Sequence, residues 1–352
     1  MSDPASIPPN TYDIILQPLP TLERNPGAEN VPTYLNKDSN RWFIGVLEPW
    51  SEFEDEVLNA FMGLQADYGR RTDIVIDTPT PAIADAQRNV RNHVVDPKWL
   101  ASSFMHHVLV LVELATRILI NNESNQARTA TSIPPVIQLT DSKALNGPCY
   151  IVQTISCSMN GTEHQPPEAR LIGHVDSLGG RTNAISMALE NPDSTDWGGL
   201  KSILGRDLAV SSFYLEAIDV GIGEIAWYMF LGRNKYGFLT CYDETIFLQM
   251  EKKSTINGHG VPVSDDASTA NGDQNGNGHG PTPQFLRLRY SKVVKHTDTL
   301  DETGDTISVR LGMLYMFILI KNHDWSINTD GINPSGYTTT TQWGEDLNPR
   351  ER

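Results

Sequence analysis

Residues 223–249, GEIAWYMFLGRNKYGFLTCYDETIFLQ, constrain the fold of this chain more than any other segment. The apolar residues up to Leu231 predict a helix whose best-defined part runs from residue 216 to residue 231. After a short polar connection, two runs rich in aromatic and β-branched residues predict strands at 238–242 and 245–250. A buried helix that leads directly into two strands predicts an α/β (α+β) protein with a mixed central β-sheet flanked by helices.

The rest of the chain supplies further elements of both kinds. Strands are predicted at 42–47, 135–139, 149–156, 169–176, 184–189 and 285–294. Helices are predicted at 51–68, 96–121 and 306–322. The helix at 96–121 is apolar nearly all round, so it should dock against the sheet. Its neighbouring His106 and His107 point about 100° apart, which favours structural roles over a shared metal.

Composition changes along the chain suggest its organisation. Residues 1–40 are rich in Pro, Asn and Ser and are expected to be irregular. Residues 41–325 should form a single globular domain, with a helical N-terminal part at 41–125 and a core at 135–325. Residues 254–283 are of low complexity and should be a disordered insertion, because they cannot bury enough apolar surface to fold. Residues 326–352 are expected to be a polar tail.

Charge and cysteine content narrow the class of protein. The chain has 27 basic and 43 acidic residues and a net charge of −16, whereas nucleic-acid binding usually requires a basic surface. A protein partner is therefore favoured over nucleic acid. Three cysteines without regular spacing indicate free thiols. The N-terminus lacks the pattern of a secretory signal, and the longest apolar run has about ten residues, too few to span a bilayer. We expect an intracellular protein, cytoplasmic or nuclear, with no membrane association.

The order of elements and several short motifs resemble the PD-(D/E)XK, or restriction-endonuclease-like, nuclease-like domains found in many fungal proteins. The residues that carry this resemblance are Tyr228-Met229 on the helix, Tyr236-Gly237-Phe238-Leu239-Thr240, Tyr242-x-x-Thr245-x-Phe247-Leu248, and Leu288-Arg289-Tyr290-Ser291. They cover less than half of the chain. The resemblance implies a PD-(D/E)XK nuclease-like core, and it requires 184–189 and 238–242 to lie in one sheet.

An active nuclease of this kind needs an acid at the end of one strand and an E-x-K motif on the next. The two carboxylates hold one or two divalent metals against the phosphate, and the lysine offsets the developing charge. The resemblance places Asp176 at the first acid and Glu190 at the second. The lysine position is then Pro192, which cannot supply a cation. Lys201 is the nearby candidate to replace it.

Three functions remain open. The first is a non-catalytic protein with a nuclease-like fold and a degenerate catalytic motif, which acts in binding or scaffolding and needs no cofactor. The second is a divergent Mg²⁺-dependent nuclease in which Asp176 and Glu190 bind the metal and Lys201 assists. The third is an unrelated α/β protein. The missing lysine and the acidic charge favour the first, so we do not expect an enzyme.

Overall fold

The structure is a computed structural model that describes most of the predicted core. The described residues are 11–22, 46–68, 97–119, 137–141, 154–159, 168–175, 183–189, 221–223, 225–254, 284–301, 303–321, 324–330 and 332. The catalytic candidates Asp176, Glu190 and Lys201 lie outside these ranges, as does Pro192. Of the insertion predicted at 254–283, only Ser254 is described, and it is the last residue of a strand.

The described residues contain one mixed sheet of eight strands. In chain order the strands are β1 (Val46–Pro49), β2 (Ile137–Asp141), β3 (Thr154–Met159), β4 (Glu168–Val175), β5 (Tyr236–Thr240), β6 (Glu244–Ser254), β7 (Gln284–Tyr290) and β8 (Val294–Lys295). Their spatial order is β1-β7-β6-β5-β4-β3-β2, and β8 pairs with β6. The β1–β7 and β4–β5 pairs are parallel and the others are antiparallel.

Helices pack on both sides of this sheet. They are α1 (Thr11–Leu16), α2 (Phe53–Tyr68), α3 (Pro97–Phe104), α4 (Val110–Leu119), α5 (Ala184–Leu189), α6 (residues 221–223 and 225–231) and α7 (Val309–Lys321). A π-helical turn, Met105–Leu109, joins α3 to α4 without a break in the helix. None of the helices in the described part of the chain is both long and apolar enough to cross a membrane.

Successive side chains of a strand point to opposite faces of the sheet, and in this sheet both faces carry buried apolar side chains. The first face carries Leu171, Phe238 and Phe247, which share a core with residues of α2, α3, α4 and α7. Phe104 of α3 stacks on Phe238 with ring centroids 5.4 Å apart. The predicted docking of the helix at 96–121 against the sheet is therefore confirmed.

The second face packs against α6. Its side chains include Ile172, Leu239 and Leu248, and they share a core with Ile225 and Met229 of α6. The helix predicted at 216–231 is confirmed over its described residues, and the two strands that follow it are confirmed with shifted bounds, as β5 and β6. The mixed sheet flanked by helices is confirmed with them.

Three predictions need correction. The strand predicted at 184–189 is wrong, because these residues form helix α5. The nuclease-like interpretation required that strand to share the sheet with 238–242, and this requirement is not met. The segment 1–40 is not wholly irregular, since Thr11–Leu16 is helical. The polar tail predicted at 326–352 is wrong for its first residues, because Ile327 and Ile332 are buried in the core of the second face.

Candidate functional site

The tip of the β5–β6 hairpin lies where the parallel strands β4 and β5 both end. Val175, the last residue of β4, is paired with Thr240, the last residue of β5. Ligands of α/β sheets bind outside the carboxyl ends of parallel strands, so a functional site is expected at this edge of the sheet. The hairpin tip sends Tyr242 toward the first face and Glu244 toward the second.

Tyr242 is held in an unusual conformation. Its φ is 73°, in the left-handed region that side chains other than glycine rarely adopt. The turn is closed by the Cys241 N–H, which donates to the Glu244 carbonyl at 3.0 Å. The Tyr242 N–H donates to the Thr240 hydroxyl at 3.0 Å. Residues with this kind of strain occur often at functional sites, but they also occur where the surrounding structure fixes them.

The Tyr242 hydroxyl lies between two partners that are distant in the sequence. It donates to the Pro20 carbonyl at 2.8 Å and lies 2.6 Å from Nδ1 of His107. Because a hydroxyl has one proton to donate, Nδ1 of His107 must carry its own proton and donate to the oxygen. Burial raises the pKa of Tyr242 further above its ordinary value, so the hydroxyl stays neutral.

His107 lies on the π-helical turn, a kind of irregularity that is frequent at functional sites. Its side chain is almost fully buried, and Nε2 has no hydrogen-bond partner among the described residues. Burial lowers the pKa of His107 to about 4, and the positive charges of Arg310 and His106 add to this effect. A neutral imidazole with an unprotonated Nε2 therefore faces the core at neutral pH.

Arg310 completes this buried polar group at the first turn of α7. Its Nε donates to the His107 carbonyl at 2.7 Å and its Nη1 donates to the Ile14 carbonyl at 3.0 Å. Burial lowers the pKa of Arg310 to about 10, which leaves the side chain charged at neutral pH. Both of these acceptors are backbone carbonyls, so the Arg310 side chain fixes the main chain of two separate segments.

On the other side of the hairpin tip, Glu244 binds the first turn of α5. Its carboxylate accepts hydrogen bonds from the backbone N–H groups of Ile185 and Ser186, at 2.7 and 3.1 Å. The Ser186 hydroxyl donates to the other carboxylate oxygen. The side chain of Glu244 is fully buried. Its position and its three donors make it the N-terminal cap of a six-residue helix.

The predicted catalytic site stays a prediction, because none of its residues is among those that the structure describes. Asp176 directly follows β4 in the sequence, but Asp176, Glu190 and Lys201 all lie outside the described residues. Glu190 was predicted to follow a strand. That part of the prediction is wrong, because residues 184–189, which precede it, form helix α5. Within the described ranges, His, Cys, Asp and Glu side chains nowhere form a group of three that could hold a metal ion.

The basic residues of β7 are already engaged by acids. Arg287 forms ion pairs with Glu48 and with Glu251 of the neighbouring strands, and Arg289 pairs with Glu52. Both arginines lie on one face of β7, as the alternating sequence predicts. A phosphate backbone that bound at this surface would have to displace these carboxylates.

The sequence alone did not identify the Tyr242, His107 and Arg310 group. The detectable signal was Arg310 at the start of an otherwise apolar helix, since a buried charge in such a run needs specific partners. The partner of Tyr242 is 135 residues away, and no local pattern predicts it.

Comparisons with the profiles of known protein families, with curated proteins and with solved structures find no match for this chain.

Proposed function

We propose that this chain is a non-catalytic protein that acts in binding or scaffolding, with a protein partner in preference to nucleic acid. One observation carries the proposal. Glu244, the carboxylate at the carboxyl ends of β4 and β5, is buried and accepts three hydrogen bonds from α5. A carboxylate used in this way is not available to bind a metal or to take up a proton from a substrate.

The residues that carry the nuclease-like resemblance have structural roles that explain their identities. Gly237 lets α6 approach the sheet, because a Cβ there would lie 2.7 Å from the sulfur of Met229. Thr245 and Thr240 hydrogen-bond to each other at 2.8 Å across the hairpin. Phe247 stacks on Phe53 with centroids 5.0 Å apart. These roles of the motif residues concern folding and not chemistry.

The divergent Mg²⁺-dependent nuclease is the alternative to be tested. It would need Asp176 and Glu190 as metal ligands and Lys201 as the missing cation. With Pro192 at the lysine position, the loss of one charge-stabilising donor is expected to slow cleavage about 100- to 1000-fold. The acidic charge of the chain should also weaken the capture of substrate.

The experiment is a cleavage assay of purified protein on DNA and RNA with Mg²⁺ or Mn²⁺, together with calorimetric titration of the metal. We expect no cleavage. If the protein binds metal at all, the Asp176→Ala variant should bind it equally well. Cleavage by the wild type that disappears in both Asp176→Ala and Glu190→Ala would contradict the proposal. If the Lys201→Ala variant also failed to cleave, Lys201 would be identified as the missing cation.

A further inference from the structure

The N-terminal segment, residues 11–22, lies against the rest of the molecule in the manner of a bound peptide. Its apolar side chains Ile14, Ile15, Leu19 and Leu22 are buried, while Asp13, Gln17, Pro18, Pro20 and Thr21 face solvent. Ile14 packs against Leu111 of α4. The other three belong to the core of the first face, which includes α4 and α7.

Main-chain hydrogen bonds hold the segment along its length. Arg310 donates to the Ile14 carbonyl, Ser308 donates to the Ile15 carbonyl, and Tyr242 donates to the Pro20 carbonyl. In return, the Leu19 N–H donates to the His296 carbonyl at 2.7 Å. Because these bonds reach the backbone of the segment, they would form equally well with another peptide of suitable shape.

The groups that hold the segment are also fixed by contacts that do not involve it. Arg310 and Tyr242 both hydrogen-bond to His107. The Ser308 hydroxyl accepts the Leu311 N–H at 3.0 Å and thereby caps α7. The donors should therefore keep their positions when the segment leaves. By contrast, α1 has six residues, too few for a stable isolated helix, so its conformation depends on docking.

We infer that the surface formed by α4, α7 and the β5–β6 hairpin tip is a peptide-binding site, which the N-terminal segment covers in cis. Its partner in trans is a short amphipathic peptide with aliphatic residues spaced like Ile14, Ile15, Leu19 and Leu22. This inference rests on the proposed binding function and names the partner that the function requires. The segment is part of the same chain and competes intramolecularly, so the intact protein should bind such a peptide weakly.

The test uses the full chain with the recognition sequence of a site-specific protease in place of residues 26–32, so that the segment can be cut free after folding. The probe is a fluorescent peptide of residues 9–22, and its capture is measured by anisotropy. We expect the cut protein to exchange its own segment for the probe and the uncut protein to bind it at least tenfold more weakly. A probe with Ile15→Asp should bind about 100-fold more weakly, because it places a charge where an aliphatic side chain is buried.

Two variants separate specific capture from general exposure of the core. The cut protein with Tyr242→Phe lacks the donor to the Pro20 carbonyl and should bind the probe about three- to tenfold more weakly. The uncut chain with Ile15→Asp should capture the wild-type probe without cleavage, because its own segment competes poorly.

Two results would overturn the inference. One is loss of cooperative unfolding when the segment is released, which would make residues 11–22 an integral part of the core. The other is no capture of the probe by either the cut protein or the Ile15→Asp chain. Either result leaves the non-catalytic proposal intact if the cleavage assay is negative, so the two failures can be told apart.

Discussion

At the scale of single residues, Tyr242 links parts of the chain that are far apart in sequence. A non-glycine residue in the left-handed region carries a conformational cost of about 1–2 kcal/mol. Tyr242 retains this conformation because its ring is fully buried and its hydroxyl meets both His107 and Pro20. The strain is thus explained by packing and hydrogen bonding.

The Tyr242→Phe variant should lower the free energy of unfolding by about 1–3 kcal/mol, because it leaves buried polar groups of His107 and Pro20 unpaired. Chemical denaturation measures this change. The matched control is Tyr290→Phe. Tyr290 is half-buried, and its hydroxyl has no hydrogen bond to another described residue, so this variant should have little effect on the free energy of unfolding. Equal losses in the two variants would show that the Tyr242 hydroxyl is not the cause.

His107 should make the fold sensitive to acid. Its pKa is lowered to about 4 in the folded protein from 6.5, chiefly by burial. The unfolded chain therefore binds the proton first, and stability falls as the pH drops from 6.5 toward 4, by at most about 3 kcal/mol. Burial raises the pKa of Glu54, which has the opposite effect on stability, so a comparison of variants is needed.

The comparison is with His107→Asn, whose amide nitrogen can replace Nδ1 as the donor to Tyr242. Denaturation at several pH values should show a shallower dependence in this variant between pH 4 and pH 6.5. The difference in slope should approach 1.4 kcal/mol per pH unit, which corresponds to one proton. Parallel slopes for the two proteins would contradict the assignment.

At the scale of secondary-structure elements, α5 shows where prediction from sequence failed. The six residues 184–189 form a short apolar run, and periodicity alone cannot distinguish a buried strand from a helix of that length. What stabilises the helix is Glu244, which lies 59 residues from Ile185 in the sequence. The strands β5 and β6 were predictable because a helix and a turn bound them closely, and their pairing is local.

Replacing Glu244 with alanine should destabilise α5. The backbone N–H groups of Ile185 and Ser186 would lose a buried charged acceptor, which costs about 2–3 kcal/mol. Hydrogen exchange at these two amides should become faster, and the midpoint of denaturation should fall. Glu52→Gln is the control, because it removes an exposed ion pair with Arg289 and should have little effect on stability. Unchanged exchange at Ile185 and Ser186 would show that α5 does not depend on this cap.

At the scale of the whole molecule, the two faces of the sheet depend on different parts of the chain. The core of the first face combines strand residues with α2, α3 and α4, all from the N-terminal half, and with α7. The buried residues of the second-face core all come from Ile172 onward, and of the N-terminal part only the half-buried Leu47 packs against them. The fold class was predictable because the apolar pattern of each element is local. The buried group of His107, Tyr242 and Arg310 was not, because it forms only when both halves meet.

This division predicts how a fragment should behave. Residues 135–333 retain seven of the eight described strands and both helices of the second face, but they lack α1 to α4. Phe238 and Phe247, fully buried in the intact protein, would lose the cover of Phe104 and Phe53. A contiguous apolar surface of this kind promotes aggregation. We expect the fragment to be insoluble or to unfold without cooperativity.

Co-expression with residues 1–125 should restore a soluble complex, because the missing helices can then cover the first face in trans. Gel filtration and thermal unfolding measure both outcomes, with the full chain as the reference. The co-expressed complex should further lose solubility with Phe104→Asp, which places a charge against Phe238 at the centre of the contact. A fragment of 135–333 that is soluble and cooperatively folded by itself would contradict this prediction. It would mean that the N-terminal helices form a separate unit and that the core of the first face is not required for folding.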